Sequence, residues 1–259
     1  MLQQENYSVE QVASLVKKDP ALAANLIQVA NSPLFRPACP IQEIEDAIVR
    51  LGRNSVVEII YTAIGKGYFQ DKIGSGLVYR QHSVGCGGIL KELSSRIFPE
   101  LAGGAFICGL FHDLGKLVFL HLGEELYKTS LDGTSMRRAG ELAREERKNL
   151  GYDHAVLGGL LLESWIFCEP FPAVITLHHR QPESFKPEPL YLRVALLVLA
   201  DALEPAVARA DKEEYLDEIE KQSQLVHFIQ DITGRHELSA LLPDWFDILS
   251  EARKKALEI

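Results

Sequence analysis

Apolar residues recur along this chain every three to four positions, from Val9 to Leu257, and nowhere do they alternate strictly over a sustained run. Spacing near 3.6 puts such residues on one helix face, whereas a half-buried strand repeats every second residue. The pattern predicts a nearly all-α chain. Helices are expected over about Val9–Lys18, Ala21–Ala30, Ile44–Leu51 and Ser55–Tyr68. Asp19-Pro20 restarts the chain after the first, because proline fits a first helical turn. Asn31 to Pro37 is a loop by its Asn and Pro content, and Gly52 ends the third helix. Longer helices follow over about Val78–Phe98, Ala105–Leu122, Ser135–Asn149, His154–Phe167, Phe171–Arg180, Leu190–Leu203, Glu213–Thr233 and Asp244–Leu257. Gln181 to Pro189, rich in proline and charge, is a surface loop. Gly65, Gly67, Gly74 and Gly76 loosen the stretch between the two sets, so a boundary is placed near residue 74, dividing 1–74 from 75–259.

Bulk properties narrow the picture modestly. With 47% hydrophobic and 24% charged residues the chain is an ordinary globular protein. A net charge of −9 offers no basic field for nucleic acid. The apolar run Tyr191 to Leu203 is broken by Arg193 and Asp201 and is too short to span a bilayer. No charged-then-apolar leader opens the chain. Cys39, Cys86, Cys108 and Cys168 are scattered in apolar surroundings, as reduced core cysteines of a cytoplasmic protein would be.

Polar residues with ligand chemistry interrupt several apolar faces. His82 begins a stripe that continues through Cys86, Ile89, Leu93 and Ile97, and Asp113 shares a face with Phe106, Leu110 and Leu117. Gly109, His112 and Lys116 line the neighbouring face, with Gly109 leaving room beside the histidine. Adjacent residues on a helix diverge by about 100°, so His112 and Asp113 reach one site only where a groove opens between their faces. Asp153 is an expected N-cap, and His154 opens a face running to Gly158, Leu161 and Trp165. His178 follows Phe171, Val174 and Ile175. His179 turns from that stripe, toward a second metal or toward solvent. Asp201 follows Leu190, Val194 and Leu197.

A carboxylate on an apolar face is costly without a partner. Imidazole and carboxylate together suit zinc, iron, manganese or nickel, as one ion or a two-ion hydrolytic site. Lys116 would serve as a point charge for phosphate. The bland alternatives are hydrogen-bonded core histidines, and N-caps or arginine pairs for the two aspartates. His121, His227 and His236 read as surface or helix-end residues.

The stretches LVKKDPALAANLIQVANSPLF, IQEIEDAIVRLG, HSVGCGGIL, FICGLFHDLGKLVF, HAVLGGLLLESWIF and FPAVITLHHRQP, in that order over roughly residues 9 to 205, resemble HDOD (HD-related output) domains. The resemblance implies a small N-terminal helical subdomain followed by an HD-domain-like helical bundle, and a bacterial signalling output role exercised through protein contacts. It also implies kinship with the HD and HD-GYP metal-dependent phosphohydrolases. Carried residue by residue, the two-metal ligands fall on His82, His112, Asp113, His154, His178, His179 and Asp201, with Lys116 and Asp113 as the catalytic pair. Two positions depart. Arg180-Gln181-Pro182-Glu183 stands where the GYP loop would follow, and Val78 replaces a carboxylate one turn before the first histidine.

Three functions follow as expectations: a signalling module with a retained metal site and no turnover, a phosphohydrolase acting on a nucleotide or other phosphoester, and a scaffold whose polar cluster is vestigial. No receiver or cyclase segment is visible, so the chain is expected to act alone or through partners encoded elsewhere. Pro33, Leu34 and Phe35 would dock a partner or staple the N-terminal helices to the rest. The turn from Ile44 through Gly52 to Ser55 resembles helix-turn-helix but has no basic recognition face.

Overall fold

A computed structural model describes residues 8–32, 35, 37, 39–65, 75–120, 139–164, 169–180 and 182–258. Among these the secondary structure is helical, with no strand. Helix α1 (Val9–Val16) opens with a capping box in which Ser8 and Gln11 satisfy each other's backbone N–H. In α2 (Pro20–Asn31), Asp19 Oδ1 accepts from the amides of Ala21 and Leu22 at 2.9 and 3.1 Å, and Pro20 fills the first turn. Asn31 then pins the following loop by a reciprocal pair of hydrogen bonds to the backbone of Ile41. Helix α3 (Ile44–Gly65) is kinked where Gly52 adopts φ 72°, a left-handed conformation that favours glycine, so the expected break lies there. Phe35 is partly buried against the core, while Pro33 and Leu34 lie outside the described residues. So do residues 66–74, where the boundary was expected.

The second set comprises α4 (Ser75–Ile97), α5 (Ala105–Phe111), α6 (114–120), α7 (Ala139–Leu150), α8 (His154–Ser164), α9 (Phe171–Leu177) and α10 (Pro189–Arg209). Beyond them come α11 (Lys212–Lys221), α12 (Ser223–Thr233), α13 (Leu238–Leu241) and α14 (Phe246–Glu258). Helix α10 is central. Leu192, Val194, Ala195, Leu196, Leu197, Leu199, Ala200 and Leu203 are all buried, and α4, α5, α9, α11, α12 and α14 pack on it. One continuous apolar core joins α1–α3 to these helices.

Three expected helices differ in the structure. The one over Ala105–Leu122 is interrupted by a turn at residues 112 and 113, and α6 starts after it. Here Gly115 matters: a Cβ on it would lie 2.1 Å from the carbonyl oxygen of His154, so only glycine lets this turn press against the start of α8. Phe171–Arg180 stops as a helix at Leu177, and residues 178 and 179 form a turn. Glu213–Thr233 is two helices, broken at Gln222. Gly109 does leave room, but for a helix: a Cβ there would lie 2.6 Å from Gly87 Cα, so the glycine pair brings α4 and α5 together. Cys86 and Cys108 are buried as expected. Cys39 is exposed, contrary to the core reading, since its loop carries it outside the helices; Cys168 lies outside the described residues. No helix among the described residues is long and apolar enough to cross a membrane.

Candidate metal centre

Five elements deliver the polar residues to one place. Helix α4 presents His82 at the head of a stripe whose other members, Cys86, Ile89, Leu93 and Ile97, are buried. The turn between α5 and α6 supplies His112 and Asp113. Asp153 caps α8 through its Oδ1 and the amide of Val156 at 2.8 Å, which sets His154 at the first helical position. The turn after α9 supplies His178 and His179, and α10 supplies Asp201. The helices interrupted at 112–113 and 178–179 therefore break at pairs of candidate ligands. A continuous helix would splay adjacent side chains by about 100°, and the turns bring both members of each pair to the cluster.

The contacts are close. His82 Nε2 lies 3.1 Å from Asp201 Oδ1, 3.8 Å from Asp113 Oδ2 and 3.3 Å from His112 Nε2. His112 Nε2 lies 3.4 Å from Asp201 Oδ1 and 3.5 Å from Asp113 Oδ1. On the other side, His154 Nε2 is 3.2 Å from Asp113 Oδ1 and 2.7 Å from His179 Nε2. His178 sits among them, its ring centroid 5.4 Å from that of His112 and 3.9 Å from that of His179. All seven predicted ligands thus meet, and His179 faces the cluster, not solvent. The aspartates are not arginine-paired N-caps: Asp113 binds Lys116 Nζ at 2.6 Å, and Asp201 faces two imidazoles. His227, within α12, and His236, in the turn after it, are exposed as the surface reading expects, and His121 lies outside the described residues.

The outward nitrogens decide how the rings are presented. His82 Nδ1 donates to Glu204 Oε2 at 2.7 Å, His112 Nδ1 to the carbonyl of Gly109 at 2.7 Å, His154 Nδ1 to Glu146 Oε2 at 2.6 Å, and His178 Nδ1 to the carbonyl of Ile175 at 2.6 Å. Carboxylates and carbonyls only accept, so each Nδ1 carries a hydrogen and each Nε2 is turned inward. Within the cluster, two buried acceptors have no hydrogen-bond partner: His178 Nε2 and Asp113 Oδ1, the latter near two imidazoles but receiving no aligned bond. Electron pairs of this kind, buried and converging, fit a cation. Two triads, His154–His178–His179 and His82–His112–Asp113, each offer three donor atoms within 4.8 Å of one another. Nitrogen with a few carboxylate oxygens suits a divalent transition ion.

Electrostatics divides the cluster. Burial disfavours the charged form of His82, but hydrogen bonds to Asp201 and Glu204, with the charge of Asp113, outweigh it and raise its pKa to about 10. Burial, followed by the charges of His112 and His154, pushes His178 down to about 3, and His179 falls well below the usual imidazole range by burial and the neighbouring His178 and His154. Burial also opposes ionisation of Asp113 and Asp201. Asp113 is nevertheless held well below the carboxylate range by His112, Lys116 and His154, and Asp201 by His112 and His82.

Sequence reasoning missed Glu204 and Glu146. Glu204 stands one turn after Asp201 in an otherwise apolar helix, which is the signal that marks it. Glu146 is fully buried in α7, a helix whose other acidic residues are exposed or half-exposed; it stands between Leu142 and Leu150 at helical spacing, which is the signal that marks it.

Similarity to known proteins agrees with this architecture. The MmoQ response regulator of Methylococcus capsulatus superposes with a TM-score of 0.69 at 22% identity, over 93% of this chain and 91% of that one. An HDOD domain protein of unknown function from Geobacter sulfurreducens gives 0.54 at 21% identity, over 98% of this chain and 87% of that one. An uncharacterized protein of Treponema pallidum is 24% identical over 196 residues, 72% of this chain but 37% of its own length, so the chain spans little more than a third of that relative. The model of the HDOD domain matches residues 1–181, and the chain belongs to the HDOD domain family.

Proposed function

We propose that this chain is a bacterial signalling output module that binds divalent transition metal in its helical core and acts through protein contacts, with residues 1–74 as a subdomain leaning on the metal-bearing bundle. The observation that carries the metal reading is the common orientation of four imidazoles, each with Nδ1 committed outward and Nε2 turned to the same buried space. His82, His112 and Asp201 would hold one ion, and His154, His178 and His179 a second, with Asp113 between them. Such ions supply Lewis acidity and lower the pKa of bound water. The chain's own residues fix the imidazole tautomers, exclude bulk water and place one lysine at the edge. The −9 net charge argues for protein rather than nucleic-acid partners.

The experiment is elemental analysis of protein purified anaerobically with iron, manganese, zinc or nickel supplied. One to two equivalents are expected. Less than about one with every metal removes the reading.

One observation favours a phosphohydrolase as the second reading. Lys116 Nζ is buried beside Asp113, and the charges of Asp113 and Asp201 raise its pKa despite burial, so it stays cationic where a phosphoryl oxygen would approach. Metal-dependent hydrolysis of a phosphodiester, abolished by Asp113→Ala, would favour turnover over the protein-contact role. Metal-loaded protein that hydrolyses no phosphoester leaves the output module. Against both readings stands the scaffold, in which His112→Ala would spare partner binding and cost no more than an ordinary core substitution, about 0.5–3 kcal/mol.

A further inference from the structure

Helix α14 lies beyond the residues that define the family match, as does Glu204 on α10. Two glycines on α4 let α14 approach. A Cβ on Gly88 would fall 2.7 Å from Ala256 Cβ and 2.8 Å from the carbonyl oxygen of Ala252. A Cβ on Gly85 would fall 2.7 Å from Glu204 Oε1 and 3.0 Å from Arg253 Nε. Three residues past His82, the space over α4 is therefore filled by an ion pair from two other helices.

That pair is tightly committed. Arg253 Nε donates to Glu204 Oε1 at 2.6 Å, and the other oxygen of the same carboxylate accepts from His82 Nδ1 at 2.7 Å. Glu204 is 3% exposed. A buried carboxylate with two charged or polar partners is a costly arrangement, stable only while both remain in place. Its orientation is fixed from one side by α14, and it fixes the ring of His82 from the other. A carboxylate behind an imidazole ligand sets the tautomer and raises the basicity of the inward nitrogen.

We propose that Glu204 and Arg253 are positioning residues for the metal centre, through which the C-terminal helix holds His82 in its ligand orientation. This rests on the metal reading above. Displacement of α14 would loosen one specific ligand of the acidic half of the cluster and leave His154, His178 and His179 in place. A partner that engages the C-terminal helix would thereby alter metal affinity, and metal binding would in turn favour the docked helix, because coupling between two sites is reciprocal.

The test uses the full chain, stripped with chelator and titrated anaerobically with cobalt(II), whose d–d absorption reports the ligand set of each equivalent. Wild type is expected to take up cobalt with a reproducible spectrum. Glu204→Gln should weaken one equivalent about 10–100-fold and alter its spectrum. Arg253→Met should act in the same direction, and Arg253→Lys should restore wild-type behaviour. In a His82→Ala background, Glu204→Gln should add nothing, since its effect passes through the missing ring. Should Glu204→Gln lose its helical circular dichroism, Arg253→Met and Arg253→Lys carry the same comparison. Wild-type affinity and spectrum in the Glu204 and Arg253 variants overturn the positioning role alone. An effect of Glu204→Gln that persists undiminished without His82 overturns it too, because it then acts on the fold. A wild-type chain that binds no cobalt overturns the metal reading and the positioning role with it.

Discussion

The two halves of the cluster solve the same burial problem differently. Around His82, two aspartates and Glu204 surround the ring, and its proton is held up to about pH 10. Around His178, imidazoles crowd one another, and its proton is lost until about pH 3. In the first half, negative charge is balanced by a proton that a cation must displace. In the second, His178 and His179 are held neutral and present lone pairs, while, against burial and Lys116, Asp113 and Glu146 raise the pKa of His154. His154 Nε2 and His179 Nε2, 2.7 Å apart, have room between them for one proton or one cation to share. The lesson is that burial alone does not set ionisation: the sign of the nearest neighbours does.

Asp113 belongs to both halves, with Oδ1 toward His154 and His112 and Oδ2 toward Lys116 and, at 3.8 Å, His82. Asp113→Ala is therefore the largest expected effect. It should reduce bound metal at both halves, to well under one equivalent, and leave Lys116 as an unpaired buried cation. Breaking a buried pair by removing one partner costs about 3–5 kcal/mol. Metal analysis and chemical denaturation of the metal-free protein read the two effects separately. Retention of full metal content would dissolve the idea of a shared carboxylate.

Next in size are the ligands unique to each half. His82→Ala should cost the acidic half its ion and spare the other. His179→Ala should do the converse. Elemental analysis of the two variants tests whether the halves are separate sites. If each variant instead loses all metal, there is one site and the division drawn from the protonation pattern has no chemical consequence.

How much of this was readable beforehand depends on what fixes each feature. The helices follow from apolar periodicity, and their caps from local chemistry: Ser8, Asp19, Gly52 and Asp153 act within a few residues of themselves. Of the seven candidate ligands, His82, Asp113, His154, His178 and Asp201 were legible because each stands on an apolar stripe, whereas His112 and His179 were legible only as neighbours of Asp113 and His178. The breaks at 112–113 and 178–179 were not, since periodicity continues through them and the turn is imposed by packing, as Gly115 against His154 illustrates. Glu146 and Arg253 were legible only in part: each continues an apolar face, between Leu142 and Leu150 and between Leu249 and Ala256, but only the tertiary arrangement puts Glu146 behind His154 and carries Arg253 to Glu204. Glu204 was legible in principle, one turn from Asp201 on the same buried face.

His82 and His178 should also respond oppositely to pH in chelator-treated protein. His82 has a folded pKa above its ordinary value, so its contribution to stability is complete below about 6.5 and fades as pH rises through about 10. His178 has a folded pKa below its ordinary value, so its contribution is present above about 6.5 and is lost as pH falls toward 3. Asp113 and Asp201 add to the acid side only below the ordinary carboxylate range. Thermal midpoints of metal-free protein should fall on both sides of neutrality, and His82→Ala should flatten the alkaline limb in part and spare the acid limb, because His154, also raised, contributes to the alkaline side. A variant that flattens the acid limb instead would reverse the assignment of protons to halves.

The smallest effect is read by two buried thiols. Cys86 lies on the His82 stripe, and burial, then the charges of Asp201, Glu204 and Asp113, raise its pKa well above the usual thiol value. Cys108 lies on α5 away from the acids. Burial takes it to about 12, with Arg193 opposing and Glu43 adding slightly. Thiolate is the reactive form, so both should resist alkylation at pH 8 in folded protein, while the exposed Cys39 is modified first. Asp201→Asn removes one of the charges that Cys86 feels and none that Cys108 feels. Mass-resolved alkylation at raised pH should therefore show faster labelling of Cys86 in that variant, with Cys108 unchanged. Equal acceleration at both would mean that the substitution loosens the whole bundle, and that the negative field of the acidic half does not extend one turn along α4.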